Sequence, residues 1–244
     1  MTTSCPRTGR SDVRAPLAAL LAFVCLTAAC RSVQRGSDPD RWQAGWFDEA
    51  VQTLSRPLPD AMAALYRMRV PSTGGLRLAV VARPGVGGRM TVSEPFGAAV
   101  LVAGWDGAGE ATVFDLDAGC RLKRWQARAE VGFGDLPLDR VVRLLGGRLP
   151  ALSSDQFLPA GDGEIDITTA TWTARAVVAP DPWRVVAVST SGLTVELERH
   201  TSSLPGRLRV IGDDREPLDV VLVSLKWEAP EDLPPLPDLP ECGD

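Results

Sequence analysis

Residues 65–103 read LYRMRVPSTGGLRLAVVARPGVGGRMTVSEPFGAAVLVA, and this stretch decides the fold class. Short runs rich in apolar residues, at 65–70, 76–82, 90–93 and 98–103, are separated by turns rich in glycine, proline and serine. Apolar and polar residues alternate in several of these runs, which is the period of a β-strand. Short strands at regular spacing, with turn signals between them, are typical of an antiparallel meander and not of a parallel sheet with crossover helices.

Helices are predicted at three places outside this stretch. Asp38 as N-cap and Pro39 at the first helical position predict a helix over 39–53, in which apolar residues recur every four positions. A second amphipathic helix is predicted over 138–145, where two glycines directly follow and end it. A short third helix is predicted from 153 or 154 to 158.

Strands make up most of the remaining chain. They are predicted at 111–116, at 121–125, once or twice within 165–179, and at 183–190, 193–197, 207–210 and 218–227. Together with the opening stretch this gives about eleven strands in one large curved antiparallel sheet, with the helices packed on one face. The predicted fold class is therefore mainly β (α+β). The proline-rich end of the chain is expected to be extended and solvated.

Cys30 follows a segment that is organised like a bacterial export signal. Three arginines precede an apolar run over 17–29, and small residues stand directly before Cys30. A basic start, a short apolar middle and small residues before a cut define a secretory signal peptide. A cysteine directly after the cut resembles a bacterial lipoprotein signal, in which that cysteine is acylated. We therefore predict four parts: signal peptide 1–29, tether 30–37 beginning with the acylated Cys30, folded domain 38–228 and Pro-rich tail 229–244.

The N-terminus has two other interpretations. A secretory signal that is cut after Ala29 without lipidation remains open. A membrane-spanning anchor is disfavoured, because the 13 apolar residues rise only about 20 Å as a helix, whereas the hydrocarbon core is about 30 Å thick.

Charge and cysteine usage narrow the possible partners. The chain has net charge −5, and residues 1–29 carry +2, which leaves −7 on the rest. No block of basic residues remains, so nucleic acid is not expected as a partner and membrane affinity is expected to come from a lipid anchor. Cys120 and Cys242 could form a disulfide in an oxidising compartment, but the sequence leaves this open. With a single histidine and no CxxC motif, no metal site is predicted.

Two motifs resemble the LolA/LolB-like superfamily of outer-membrane lipoproteins and carriers. SEPFG at 93–97, followed by AAVLV at 98–102, is similar to that family's turn into an apolar strand. PLDRVVRLLGGRLP at 137–150 is similar to its mid-chain helix and the turn that follows. The resemblance implies that 38–228 is a LolB-like half-barrel: an unclosed β-barrel, covered by an N-terminal helix and one or two mid-chain helices, around a hydrophobic cavity.

Some strands are apolar on both faces, which indicates that both faces of the sheet are covered there. The residues expected to line the cavity are Leu78, Val80, Met90, Val92, Val100, Val102, Phe114, Val177, Val195 and Leu197. A register error of one residue would turn any of them to the other face. Phe96 and Trp105, in or near turns, are the expected apolar tips that could touch a membrane.

No set of residues suited to catalysis was found. His200 is the only histidine and is expected on the surface, and no nucleophile-elbow motif is present. We therefore predict that the protein is not an enzyme and needs no cofactor. A hydrolase acting on envelope polymers is the least favoured function.

The predicted function is that of a lipid-anchored, periplasm-facing lipoprotein, with Arg31 after the cysteine favouring the outer membrane. It would bind acyl chains or a lipidated protein, with a periplasmic carrier protein as a further partner. The alternative is a structural or assembly lipoprotein that uses the sheet as a protein-binding surface. A cavity already filled by side chains would count against the carrier.

Overall fold

The computed structural model describes residues 45–70, 74–107, 111–122, 136–152, 154–213, 216–228, 232–233 and 235–243. Chain contacts divide the protein into two units, 1–41 and 42–244, and every described residue belongs to the second. The signal peptide, Cys30, the tether and the predicted start of the first helix therefore lie outside the described residues.

Two helices are described. Helix α1 spans Trp46–Leu54 and begins after Gly45, whose φ of 91° suits only glycine. Its four-residue repeat buries Ala50 and Leu54, as the sequence pattern predicts. Helix α2 spans Leu138–Leu145 and buries nearly its whole length.

Thirteen strands form one antiparallel sheet. In chain order they are β1 Met62–Val70, β2 Gly74–Arg83, β3 Gly87–Ser93, β4 Ala99–Asp106, β5 Ala111–Asp115, β6 Cys120–Arg121, β7 Gln156–Gly161, β8 Glu164–Thr168, β9 Thr173–Ala179, β10 Arg184–Thr190, β11 Leu193–Glu198, β12 Arg207–Gly212 and β13 Leu218–Lys226.

The strand order is β6-β5-β4-β3-β2-β1-β13-β12-β11-β10-β9-β8-β7. The first strand, β1, lies in the middle of the sheet, and the next five strands extend outward from it to the edge strand β6. The following strand, β7, forms the opposite edge, and the later strands return toward the middle until β13 pairs with β1. Helix α2 lies in the segment between β6 and β7. The sheet is thus unclosed, and the predicted mainly β class is confirmed with two more strands than expected.

The short third helix predicted from 153 or 154 to 158 is wrong. Residues 156–161 form the edge strand β7, in which Phe157 lies opposite Ile167. Asp155 ends the preceding turn instead of opening a helix, since its carboxylate accepts a hydrogen bond from the Leu152 amide at 2.7 Å. Pro159 has no N–H to donate, which an edge strand tolerates.

The C-terminal tail is attached to the sheet and is not simply a solvated end. Cys242 forms a disulfide with Cys120 of β6. The Arg121 amide donates to the Pro240 carbonyl at 2.6 Å, and the Cys242 amide donates to the Arg121 carbonyl at 2.9 Å. A Cβ on Gly104 would lie 2.7 Å from the Leu236 side chain, so the tail also packs against β4.

The core lies between one face of the sheet and the two helices. That face, called the inner face here, carries Tyr66 and Met68 of β1, Val80 of β2 and Val195 of β11, all within one apolar cluster with residues of α1 and α2. None of the helices in the described part of the chain is long and apolar enough to cross a bilayer.

Candidate binding site

The structure brings six of the ten predicted cavity residues to the inner face. Leu78, Val80, Met90, Val195 and Leu197 are each at most 2% exposed, and Val92 packs half-buried beside them. They touch the helices or one another, so this interior is filled by side chains. A ligand could enter it only if the helices moved away from the sheet.

The other four are not part of this cluster. Val102 lies opposite Phe114 on the outer face, the face turned away from the helices, and both are 5% exposed. Val177 lies beside the inward Ala176 and Val178, and points outward too. Val100 also falls outside the core cluster, where a bulge shifts the β3–β4 register.

The outer face of β4 is buried because of the C-terminal tail. Gly104 shares that face with Val102, and Leu236 of the tail packs directly on Gly104. Arg89 of β3 donates a hydrogen bond to the carbonyl of Pro235 there. At Gly104 the outer face of β4 is thus covered by the tail, whereas Ala103 on the inner face belongs to the core.

Tyr66 carries a polar group into the interior. Its side chain is fully buried in the middle strand β1, and its hydroxyl has no hydrogen-bond partner. Burial raises the pKa of the Tyr66 phenol far above its usual range. A buried hydroxyl without a partner costs about 1–3 kcal/mol, so this atom is the place where the interior would gain from a polar ligand atom.

Sequence reasoning missed Tyr66 as a site residue. It is the only tyrosine of the chain and lies in the run LYRMRV at 65–70. Alternation in that run places Tyr66 and Met68 on one face and two arginines on the other. The pattern could have identified it as an inward hydroxyl, although no pattern reveals that the hydroxyl lacks a partner.

Helices α1 and α2 are joined to each other by hydrogen bonds from two arginines. The Arg143 guanidinium is 6% exposed; its Nε donates to the Leu149 carbonyl at 2.9 Å and its Nη2 to the Ser55 carbonyl at 2.7 Å. Arg148 donates to the Thr53 carbonyl at 3.2 Å. A backbone bond from Leu149 to Leu54 at 3.0 Å completes the connection. The helices and their flanking turns therefore form one unit, called the helical cover.

The Arg143 charge is retained at neutral pH. Burial, with the neighbouring Arg140 and Arg148 charges, lowers its pKa to about 10. Its carbonyl partners accept from the protonated form, which lets a cation stay within an apolar cover.

The two proposed membrane tips have different surroundings. Phe96, in the turn between β3 and β4, is 98% exposed. Trp105 is 7% exposed and belongs to the core, so it is not an exposed tip. A Cβ on Gly88 would lie 2.1 Å from the Trp105 ring, which explains why glycine is needed at the start of β3.

His200 is half-buried and not simply a surface residue. Its Nε2 donates to the Val185 carbonyl at 2.8 Å, and burial lowers its pKa. Within the described ranges, no group of three or more histidine, cysteine or acidic residues is arranged to hold a metal ion.

Comparisons with known proteins complete the description. No protein-family model matches the chain, and no curated protein does. The chain is structurally similar to solved proteins of the LolA superfamily. One is a LolA superfamily protein from Nitrosomonas europaea, with 17% identity, coverage of 78% of this chain and 94% of that chain, and a TM-score of 0.47.

A second similar structure is described as an outer membrane lipoprotein-sorting protein domain from Vibrio parahaemolyticus. It has 9% identity, coverage of 75% of this chain and 91% of that chain, and a TM-score of 0.46.

Proposed function

We propose that this protein is an exported, lipid-anchored envelope protein that binds an acyl chain between its sheet and its helical cover. The observation that carries the proposal is the unpartnered Tyr66 hydroxyl, fully buried in an otherwise apolar interior. Such an interior suits a ligand that has a long apolar part and one hydrogen-bond acceptor. Fatty acids and the acyl esters of a lipidated protein have this chemistry.

The energetics favour this kind of ligand. Each buried CH₂ contributes about 0.8 kcal/mol to binding. A chain of a dozen carbons therefore has useful affinity even after the free energy needed to open the protein is subtracted. A carbonyl oxygen of the ligand would accept from the Tyr66 hydroxyl and remove its desolvation penalty. Release to another carrier then requires only that the acceptor bind the chain more tightly.

Entry of the chain requires the helical cover to move. The hydrogen bonds of Arg143 and Arg148 join α1 to α2, whereas both helices meet the inner face through apolar side chains. Apolar contacts carry no fixed direction, so the cover can shift as one unit and an acyl chain can replace the contacts that it gives up.

The rest of the proposed activity concerns position in the cell. Cys30 would carry the acyl anchor and hold the domain at the periplasmic side of a membrane, the outer membrane by preference. Exposed Phe96 would touch that membrane. A periplasmic carrier protein would deliver the lipid or the lipidated protein.

Binding of palmitate to the purified full chain, with Cys30→Ser to remove the anchor, tests the proposal. Tyr66→Phe should weaken binding by about tenfold, since one hydrogen bond of about 1–1.5 kcal/mol is lost. Thr190→Val is the matched control, because Thr190 also has a buried hydroxyl without a partner but lies four strands away from β1. Equal affinity of all three proteins, or no binding by any, would contradict the proposal.

The closed interior favours a second candidate: a structural or assembly lipoprotein that uses the sheet as a protein-binding surface. The filled inner face leaves the outer face as the surface available without rearrangement. Failure of every variant to bind palmitate, together with stable capture of an envelope protein, would support this candidate.

A further inference from the structure

The outer face of the middle strands gathers arginines that are scattered in the sequence. On β1, inward Tyr66 and Met68 alternate with Arg67 and Arg69, which are both exposed. On β2, inward Leu78 follows exposed Arg77. Because antiparallel partners share a face, these side chains lie on the side of the sheet away from the helical cover.

The strand register places like charges next to one another. Arg67 lies directly opposite Arg77 on β2 and, on its other side, opposite Val221 of β13, which in turn lies opposite Arg207 of β12. Neighbouring strands are about 4.8 Å apart, so Arg67 and Arg77 are within reach of a single anion. Like charges directly opposite in a sheet are destabilising, and an anion between them would relieve this cost.

Most of these arginines have no counter-charge among the described residues. Arg207 is paired with Glu198 at 3.1 Å and Asp219 at 2.7 Å. Within the part of the chain that the structure describes, Arg67 and Arg77 have no ion pair or side-chain hydrogen bond. Arg69 likewise has no ion pair or side-chain hydrogen bond with any described residue, although it lies opposite Asp219 of β13.

Arg67, Arg69 and Arg207 border an open depression of about 500 Å³, and Arg77 lies next to it, opposite Arg67 on β2. Arg67, Arg69, Arg199 and Arg207 line it together with a single acid, Asp219. We call it the arginine groove. Its apolar wall includes Val223, which is 54% exposed at a β-bulge between β1 and β13.

We propose that the arginine groove binds the phosphate headgroups of anionic phospholipids at a bilayer surface. Guanidinium groups bind phosphate through paired N–H donors. Four of them line this groove, and within the described ranges only Arg207 of the four is in an ion pair. The exposed valine beside them suits the apolar part of a lipid and offers nothing to a free phosphate ion. The site lies on the opposite face from the interior and does not depend on acyl-chain binding there.

Vesicle co-sedimentation tests this inference with the full chain carrying Cys30→Ser. The vesicles are phosphatidylcholine alone, or phosphatidylcholine with about 30 mol% phosphatidylglycerol to supply anionic headgroups. The test variant is Arg67→Gln with Arg77→Gln. The control is Arg175→Gln, because Arg175 is an exposed outward arginine of β9 that is paired with Asp166 at 2.7 Å.

We expect binding to the anionic vesicles that falls with added salt, and a roughly 30-fold loss in the double variant, as for two cationic side chains near an anionic surface. Arg175→Gln should change binding by less than about threefold. Equal binding of the wild-type and double-variant proteins, an equal loss in the control, or absence of vesicle binding would overturn the inference. Full displacement by millimolar inorganic phosphate at constant ionic strength would also overturn it, since it would indicate a small-anion site. Unchanged circular dichroism of the double variant establishes that it is folded.

Discussion

Replacing Tyr66 by phenylalanine should make the ligand-free protein more stable. The substitution keeps the ring in the core and removes only a hydroxyl that is buried and has no partner. Relief of that desolvation penalty should raise the free energy of unfolding by about 1–3 kcal/mol. For a chain of this size each kcal/mol corresponds to a rise in Tm of about 2–4 °C.

Urea unfolding followed by tryptophan fluorescence measures this change. A second signature is its pH dependence: burial raises the pKa of Tyr66 in the folded state, so the unfolded chain loses this proton first as the pH rises above about 10. The wild-type protein should therefore lose stability in that range through Tyr66, and the phenylalanine variant should lose less. A variant less stable than the wild-type protein would refute the reasoning, because it would mean that the hydroxyl has a partner.

Three further experiments test the fold around the site. Replacing both Cys120 and Cys242 by alanine should lower the free energy of unfolding by about 2–5 kcal/mol. It should also make the tail after residue 228 susceptible to limited proteolysis. A tail that resists the protease as well as in the wild-type protein would mean that the disulfide does not hold it. Arg143→Met should cost about 3–5 kcal/mol in chemical denaturation, because two buried carbonyls and one part-buried carbonyl lose their donor. A loss below about 1 kcal/mol would contradict its role in joining the helices. Gly88→Ala should lower the free energy of unfolding by about 1–3 kcal/mol, because the new Cβ would clash with Trp105. Gly75→Ala is the control and should change stability little, since its new Cβ would meet nothing closer than 3.9 Å. Equal Tm values for the two variants would argue against the close packing of Trp105.

The strand pattern was readable in the sequence wherever a strand has one regularly buried face. Alternation around Leu78 and Val80 and around Val195 and Leu197 correctly indicated which side chains are buried. The failure at β7 has a local cause: two serines and Asp155 are good helix openers, but the segment instead gains a strand partner in β8. Tertiary pairing overrode the local signal.

The faces of β4 and β5 could not be assigned from the sequence. Val102 and Phe114 lie on the outer face, where Leu236 of the tail packs on nearby Gly104, and the disulfide between Cys120 and Cys242 joins that tail to β6. Contacts over 122 residues of sequence leave no periodic signal. The arginine groove is hidden for the same reason, since Arg67, Arg77 and Arg207 become neighbours only through strand register.

The central claim is that the interior between the inner face and the helical cover accepts an acyl chain at Tyr66. Native mass spectrometry of the full chain carrying Cys30→Ser, mixed with palmitate, tests it most directly. We expect one bound fatty acid per protein chain in the mass spectrum. The Thr190→Val variant should retain this bound fatty acid, and the Tyr66→Phe variant should largely lose it. A protein that binds no fatty acid, or that binds equally well without the Tyr66 hydroxyl, would contradict it.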